Sequence, residues 1–347
     1  MIFKTNRKKI FSTIVCLTFL FLSVFAQTYR FRYYGNESNI PDGFVYTINQ
    51  DNNGYLWVGT RMGISKFDGF EFHNVAFPDS AAGRYPTASI RDSQGNLWFG
   101  CNDGTIFFTG KNGLNKLPVQ NNMSISALAT APDGSVWAFP QAGEIYRIDP
   151  ADQEDVKIFR AGEGDMFFSA AFTPSGDLLL GTQEYIKVLN IMSDTLVLRD
   201  TVGGFNYSSI TSLQRLKDSD WYLAGTNGSG LYKLNLSGEV KSLSRLSGSD
   251  ELAYLDVQAI YEDQDDICWI STNGSGVLRL RISPEGADMY SSGFIDQNSG
   301  LPANNIRSVF RDQEGNYWIG HFGEGLSMLP SLSLAFYSPG MTPEASN

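Results

Sequence analysis

The sequence predicts an all-β protein built from repeats. A nine-residue pattern recurs along the chain at steps of about 40 to 50 residues, and no stretch carries a helical hydrophobic period long enough to assign. The fullest copy, Asp51 to Gly59, reads D-N-N-G-Y-L-W-V-G. Close copies run from Asp92 to Gly100 and from Asp312 to Gly320, and fainter ones end at Trp137, Gly181, Gly225 and Ser271. Aligned on the Trp position they fall at Trp57, Trp98, Trp137, Leu179, Leu223, Trp269 and Trp318, in steps of 41, 39, 42, 44, 46 and 49 residues. That is the period of a four-stranded propeller blade. Seven copies predict a seven-bladed β-propeller of four-stranded antiparallel blades.

Residues 1–26 stand outside the repeats. Lys4, Arg7, Lys8 and Lys9 form a basic start, and the 16 residues of Ile10–Phe25 are uncharged and mostly apolar. Val24-Phe25-Ala26 then offers a signal-peptidase site. The apolar run falls short of the roughly 20 residues of a bilayer span, so a cleaved signal peptide is the leading reading and an uncleaved inner-membrane anchor the alternative. Cys16 follows the bulky Val15 too early in the run to suit a lipoprotein cysteine. Periplasmic or secreted placement follows from this segment.

The propeller is expected over residues 27–338. In each repeat the Asp accepts hydrogen bonds from turn N–H groups and the Gly takes positive φ without a Cβ penalty. Inner strands such as Val45–Gln50, Ser89–Arg91 and Ile306–Arg311 precede the turn. The Trp strand follows it, then a third strand (Ile64–Phe67, Gly325–Met328) and a fourth (Phe70–Ala76). Strands apolar on both sides fit blades sandwiched between neighbours. The Gly that ends the Trp strand lets a neighbouring blade approach the backbone. Five of the six Trp residues share one strand position, which assigns them to packing, and Trp221 is the irregular one. Tyr29–Tyr34 is expected to close the ring as an outer strand of the last blade, with Leu334–Tyr337 competing for that place. Residues 339–347 form a loose tail.

Composition narrows the function classes. The formal charge is −11, and removing residues 1–26 takes away four basic residues and no acidic one, leaving −15. No basic stripe is present, which argues against a nucleic-acid partner. Beyond the first 26 residues only Cys101 and Cys268 remain, in the second and sixth repeats. Blades that far apart exceed the reach of a disulfide, so packing alone must stabilise the fold.

Residues 51–69 carry the pattern D-x-x-G-x-L-W-x-G-T-x-x-G-I-x-x-F-D-G almost whole, Asp312–Leu326 is the next best copy, and G-L-P-A-N-N-I-R-S-V leads into the last repeat. This resembles the two-component regulator propeller repeat, across residues 30–335 and most closely in the first, second and seventh copies. The resemblance implies an exported propeller that senses an extracellular cue, often a glycan breakdown product, and relays it to a kinase. The sequence departs from that family's sensors. It shows no second propeller, immunoglobulin-like domain, later membrane helix or kinase, so a truncated sensor and a free-standing binding propeller both stand as expectations.

Catalysis has few residues to draw on: the histidines are His73, in a predicted outer strand, and His321, where other repeats place Thr. A lyase of the streptogramin-lyase type is the enzymatic alternative, because P-D-G-S-V-W at Pro132–Trp137 is similar to that family's repeats. A protein-interaction scaffold is the third reading. No cofactor is expected. The acidic run Glu262–Asp266 is better explained as a solvated turn than as a calcium loop.

Ligand recognition is expected on one face of the ring. The D-x-x-G turns belong to one face and are repetitive, whereas the second-to-third turns and the blade connections emerge on the other and vary. That variable face is expected to present Arg61, Arg84, Tyr85, Asn102, Gln141, Tyr185, Asn227, Asn273, Asn304, His321 and Phe322. Variable loops on a rigid scaffold are a usual place for recognition. Amides beside aromatic rings suit a small molecule or oligosaccharide, and a membrane sensor kinase or other protein is the expected partner.

Overall fold

The structure, a computed structural model, describes residues 29–331 apart from 80–81, 111–112, 120, 163, 237–241, 246–249 and 283–288. The predicted signal segment 1–26, the competing strand Leu334–Tyr337 and the tail 339–347 lie outside the described residues.

Seven antiparallel four-stranded sheets follow one another along the chain. Blade 1 is Val45–Gln50, Leu56–Thr60, Gly63–Phe67 and Phe72–Val75, and each later repeat supplies a blade in the same order. The inner strands are Val45–Gln50, Pro86–Arg91, Ile125–Thr130, Ser169–Phe172, Ile210–Arg215, Val257–Glu262 and Ile306–Arg311. Each adjoins the next, and that of blade 7 adjoins that of blade 1, so the ring is closed. Among the described residues, helix is confined to Asp250–Ala253 and two 3-10 turns, Asn36–Ser38 and Gln297–Ser299.

Closure uses the start of the chain. Arg32–Tyr34 pairs with Leu326–Leu329 as the outer strand of blade 7. Tyr34 then packs against Trp318 of blade 7 and against Phe67 and Phe72 of blade 1, with ring centroids 5.4, 5.5 and 5.7 Å away. One blade is thus built from both halves of the sequence, which covers the edge that blade 7 would otherwise expose.

The blade-to-blade packing rests on the expected glycines. A Cβ on Gly320 would lie 2.7 Å from Val45 Cγ1, and on Gly181 it would lie 3.0 Å from Ile210 Cβ. Gly59, Gly100 and Gly225 are closed off in the same way by Pro86, Ile125 and Val257. In every case the intruding side chain is the first residue of the next inner strand. The five repeat-position Trp residues are all buried, whereas Trp221 is only partly so, with the Lys233 ammonium 4.9 Å from its ring centre. Cys101 and Cys268 are free and buried, and burial pushes both thiols up.

Five strands have other bounds than expected, among them Gly63–Phe67, Leu326–Leu329 and Arg32–Tyr34. The outer strand of blade 1 is Phe72–Val75 rather than Phe70–Ala76, because the Asp68 carboxylate accepts the N–H groups of Phe70 and Glu71 at 2.8 and 2.9 Å and holds a turn there. The second inner strand begins at Pro86, not Ser89. Proline is tolerated as the first residue of a strand, where no ladder N–H is required.

Candidate functional site

The backbone places the second-to-third turns beside the blade connections, as expected. The N–H groups of Arg61, Asn102, Gln141, Asn227, Asn273 and Phe322 donate to the carbonyls of Phe44, Tyr85, Ser124, Ser209, Asp256 and Asn305, over 2.8 to 3.1 Å. Each acceptor lies immediately ahead of its inner strand. Six of the eleven candidate residues therefore occupy one repeated position around the rim of the ring.

Their side chains divide into two groups. Arg61, Tyr85 and Phe322 come together with two residues that sequence reasoning missed, Phe44 and Tyr46. The Arg61 guanidinium sits over the Phe44 ring at 4.2 Å. Phe44 meets Phe322 edge-on at 4.7 Å, and Tyr46 stacks on Tyr85 at 5.0 Å. Phe322 remains 49% exposed, which leaves apolar ring surface of this cluster open to solvent. Gln141 lines the central channel. Asn227 is exposed.

The remaining candidates are engaged in holding the face together. Asn102 accepts the Tyr85 N–H at 2.9 Å and donates to the Gly83 carbonyl. Asn273 donates to Asp256 at 2.9 Å, and Asn304 accepts the Gln297 N–H at 2.9 Å. Arg84 is buried between Asp79 and Asp103, the latter at 2.6 Å. The Tyr185 hydroxyl donates to Asp165 at 2.6 Å. His321 is not on the surface at all. It is the last residue of the strand Tyr317–His321 rather than a loop residue, and its side chain is fully buried. There it shares a 2.7 Å hydrogen bond with the Ser327 hydroxyl, its Nδ1 has no partner, and burial pulls its pKa down to about 4.

The channel supplies what the sequence did not reveal. In six blades the pairing of the first two strands skips one residue: Tyr46, Thr87, Ser126, Thr211, Gln258 and Arg307. Such a bulge re-aims the extra side chain, and all six line the central channel, as does Phe168 just ahead of the unbulged inner strand of blade 4. They sit at the start of their strands, hence at the mouth that opens on the variable face. The channel holds about 560 Å³. The signal was available: in these six blades and at Phe168 the position lies 11 or 12 residues before the Trp position, and it changes chemistry in nearly every repeat.

Among the described residues no group of His, Cys, Asp or Glu is placed to hold a metal, and no helix is long and apolar enough to cross a membrane. In the acidic run, Asp263 is a buried turn residue that accepts the N–H groups of Asp265 and Ile267 at 2.8 and 3.1 Å.

Fold and rim together define a seven-bladed propeller with one repetitive face and one variable face. Residues 39–62 and 300–323 match the family described as Two component regulator propeller. These two matches cover the inner and Trp strands of blades 1 and 7 with their lead-ins. No curated protein matches the sequence. Among solved structures, the extracellular domain assigned to a hybrid two-component system of B. thetaiotaomicron superposes with a TM-score of 0.69 at 19% identity, covering 87% of this chain and 42% of that one. A second such domain from the same organism gives 0.67 at 16%, covering 87% and 39%. The chain therefore spans about two fifths of those proteins. Virginiamycin B lyase from Staphylococcus aureus gives 0.68 at 14%, covering 88% of this chain and 100% of that one. At these identities the likeness concerns the fold.

Proposed function

We propose that this protein is a non-catalytic, sensor-type propeller, exported to the periplasm or beyond, that binds a small molecule or oligosaccharide on its variable face. One observation carries the reading: Arg61, Phe44, Phe322, Tyr46 and Tyr85 form a continuous aromatic and cationic row beside the channel mouth. Rings supply flat apolar surface, and the polar groups around the mouth supply orientation. The propeller repeats favour a sensor, whose signal would pass to a membrane kinase or another protein. The lyase alternative has weaker support, because His321 is sealed inside blade 7 and His73 lies on the outer strand of blade 1, paired with Asp68 at 3.2 Å.

The test is a panel of neutral and acidic mono- and oligosaccharides titrated calorimetrically, with product formation followed in parallel. Phe322→Ala combined with Tyr85→Ala is expected to weaken any binding at least tenfold, while Asn53→Ala on the repetitive face leaves it unchanged. Equal loss from both would point to a global effect. Turnover of any panel member would overturn the non-catalytic reading.

A further inference from the structure

We propose that the channel mouth is an anion site in which the Arg307 guanidinium receives a single carboxylate of a small ligand, an assignment that rests on the ligand-binding reading above. The channel wall draws on all seven inner strands, and Arg307 is its one charged lining residue among the described residues. The protein as a whole is acidic, with 37 Asp and Glu against 26 Lys and Arg. Carboxylates are therefore plentiful, and other arginines have found them: Arg61 pairs with Asp42, Arg199 with Asp177 and Arg311 with Asp265. Arg307 forms no ion pair among the described residues. Its Nη1 donates to Oε1 of Gln258 at 2.6 Å, a neutral partner.

The neighbouring side chains keep that cation unneutralised. The Gln258 amide donates onward to Asp256 Oδ1 at 2.9 Å, which fixes its oxygen toward Arg307. The other Asp256 oxygen accepts from Asn273 at 2.9 Å. The local carboxylate is thus committed to two amides. Burial draws the Arg307 pKa below its ordinary value, and the nearby Tyr46 and Asp256, which pull the other way, do not offset it. A guanidinium is a planar fork of five donors that matches a carboxylate bidentately, so the bond to Gln258 leaves donors over on a side chain that lines the channel. A lone fixed cation in an acidic protein suits a monoanion rather than a polyanion, and a volume of about 560 Å³ suits a small one. Tyr46, beside the same mouth, supplies a phenol and, with Tyr85, a stacked pair of rings.

The experiment compares acids with their neutral isosteres. Glucuronate against glucose, and acetate against acetamide, are titrated into the purified chain at low ionic strength, as wild type, Arg307→Gln and Arg307→Lys. Wild type is expected to bind each acid at least tenfold more tightly than its neutral partner. Arg307→Gln should erase that preference, and Arg307→Lys, which keeps the charge but not the fork, should retain part of it. Equal binding of acid and neutral partner by wild type, or a preference that survives Arg307→Gln, overturns the anion site. So does binding of other panel members without either acid, an outcome that leaves the ligand-binding reading standing. A chain that binds nothing overturns both. If Arg307→Gln fails to fold, the wild-type comparison and Arg307→Lys still decide.

Discussion

Trp269 donates its indole N–H to Oδ2 of Asp263 across 2.9 Å, locking the turn of blade 6 to its second strand. The same oxygen accepts the Tyr317 hydroxyl of blade 7 at 2.6 Å. The Asp–Trp bond recurs at Asp51–Trp57, Asp92–Trp98 and Asp312–Trp318, at 2.9, 2.8 and 2.6 Å. Where Leu179 and Leu223 replace the Trp, the Asp that opens the turn is replaced as well, by Thr173 and Leu216. Blade 3 has Ala131 in the Asp position, and its Trp137 turns to the Ser135 hydroxyl at 3.0 Å instead. Wherever the turn Asp stands, its Trp stands with it, and the two form one hydrogen-bonded unit.

Removing the acceptor should be costly. Asp263→Ala leaves the Trp269 indole, the Tyr317 hydroxyl and two backbone N–H groups without their partner, and each buried orphan costs about 1–3 kcal/mol. A loss of about 3–5 kcal/mol in unfolding free energy is expected from urea melts. Asp133→Ala, at an exposed turn whose Trp is served by Ser135, should cost about 1 kcal/mol or less.

Gly100 tests the close approach of blades. A Cβ there would run into the Ile125 side chain of blade 3. Overpacking of this kind costs about 1–3 kcal/mol. Gly100→Ala is expected to fall in that range, and Ile125→Ala to destabilise by about 2–5 kcal/mol through lost packing. The double mutant should be less damaged than the sum, because the truncated Ile125 makes room. Strict additivity in a double-mutant cycle would refute the contact.

These relationships mark what the chain discloses before it folds. The D-x-x-G turns, the Trp strands and the glycines were legible, because each depends on residues repeated at a fixed spacing, whereas the sequence left Tyr29–Tyr34 and Leu334–Tyr337 both open as the strand that closes the ring. The bulges were not. One extra residue does not interrupt an apolar run, and the position is marked only by its changing chemistry 11 or 12 residues before the Trp position, so Tyr46, Gln258 and Arg307 stayed hidden among strand residues. The opposite error affected Asn102, Asn273 and Asn304, whose amides look like solvated loop groups and in fact brace the turns. Sequence position brought Arg61, Tyr85 and Phe322 into one cluster but did not tell which side chains were already committed.

Closure by the N-terminal strand predicts a ring sensitive to its own start. Tyr34 is the side chain of Arg32–Tyr34 that bridges to both Trp318 and the Phe67–Phe72 stack. Tyr34→Ala should destabilise by about 2–4 kcal/mol, near the lower end for a large aromatic because the residue is only partly buried. Hydrogen exchange should then rise first in blades 7 and 1. Uniform loss of protection across all blades would contradict a local seam.

His321 gives the fold a pH dependence of defined sign. Buried against Ser327 with its pKa drawn down to about 4, it stays neutral in the folded state at pH values where the unfolded chain, titrating near 6.5, takes up a proton. The unfolded state therefore binds more protons between about pH 6.5 and 4, and stability falls as pH drops through that window. A gap of that size corresponds to about 3 kcal/mol at most. Below about pH 4 both states are protonated at this site and the loss levels off. Other blades fill the position with Thr60, Thr226 and Thr272, whose hydroxyls donate to the carbonyls of Gly63, Gly230 and Gly276 at 3.2, 2.7 and 2.7 Å. His321→Thr supplies that same bond to a blade already shaped for it. It should flatten the stability profile between about pH 6.5 and 4 while leaving stability at about pH 8 within about 1 kcal/mol of wild type. A profile as steep as wild type in the variant would show that carboxylates elsewhere, not this imidazole, set the acid sensitivity.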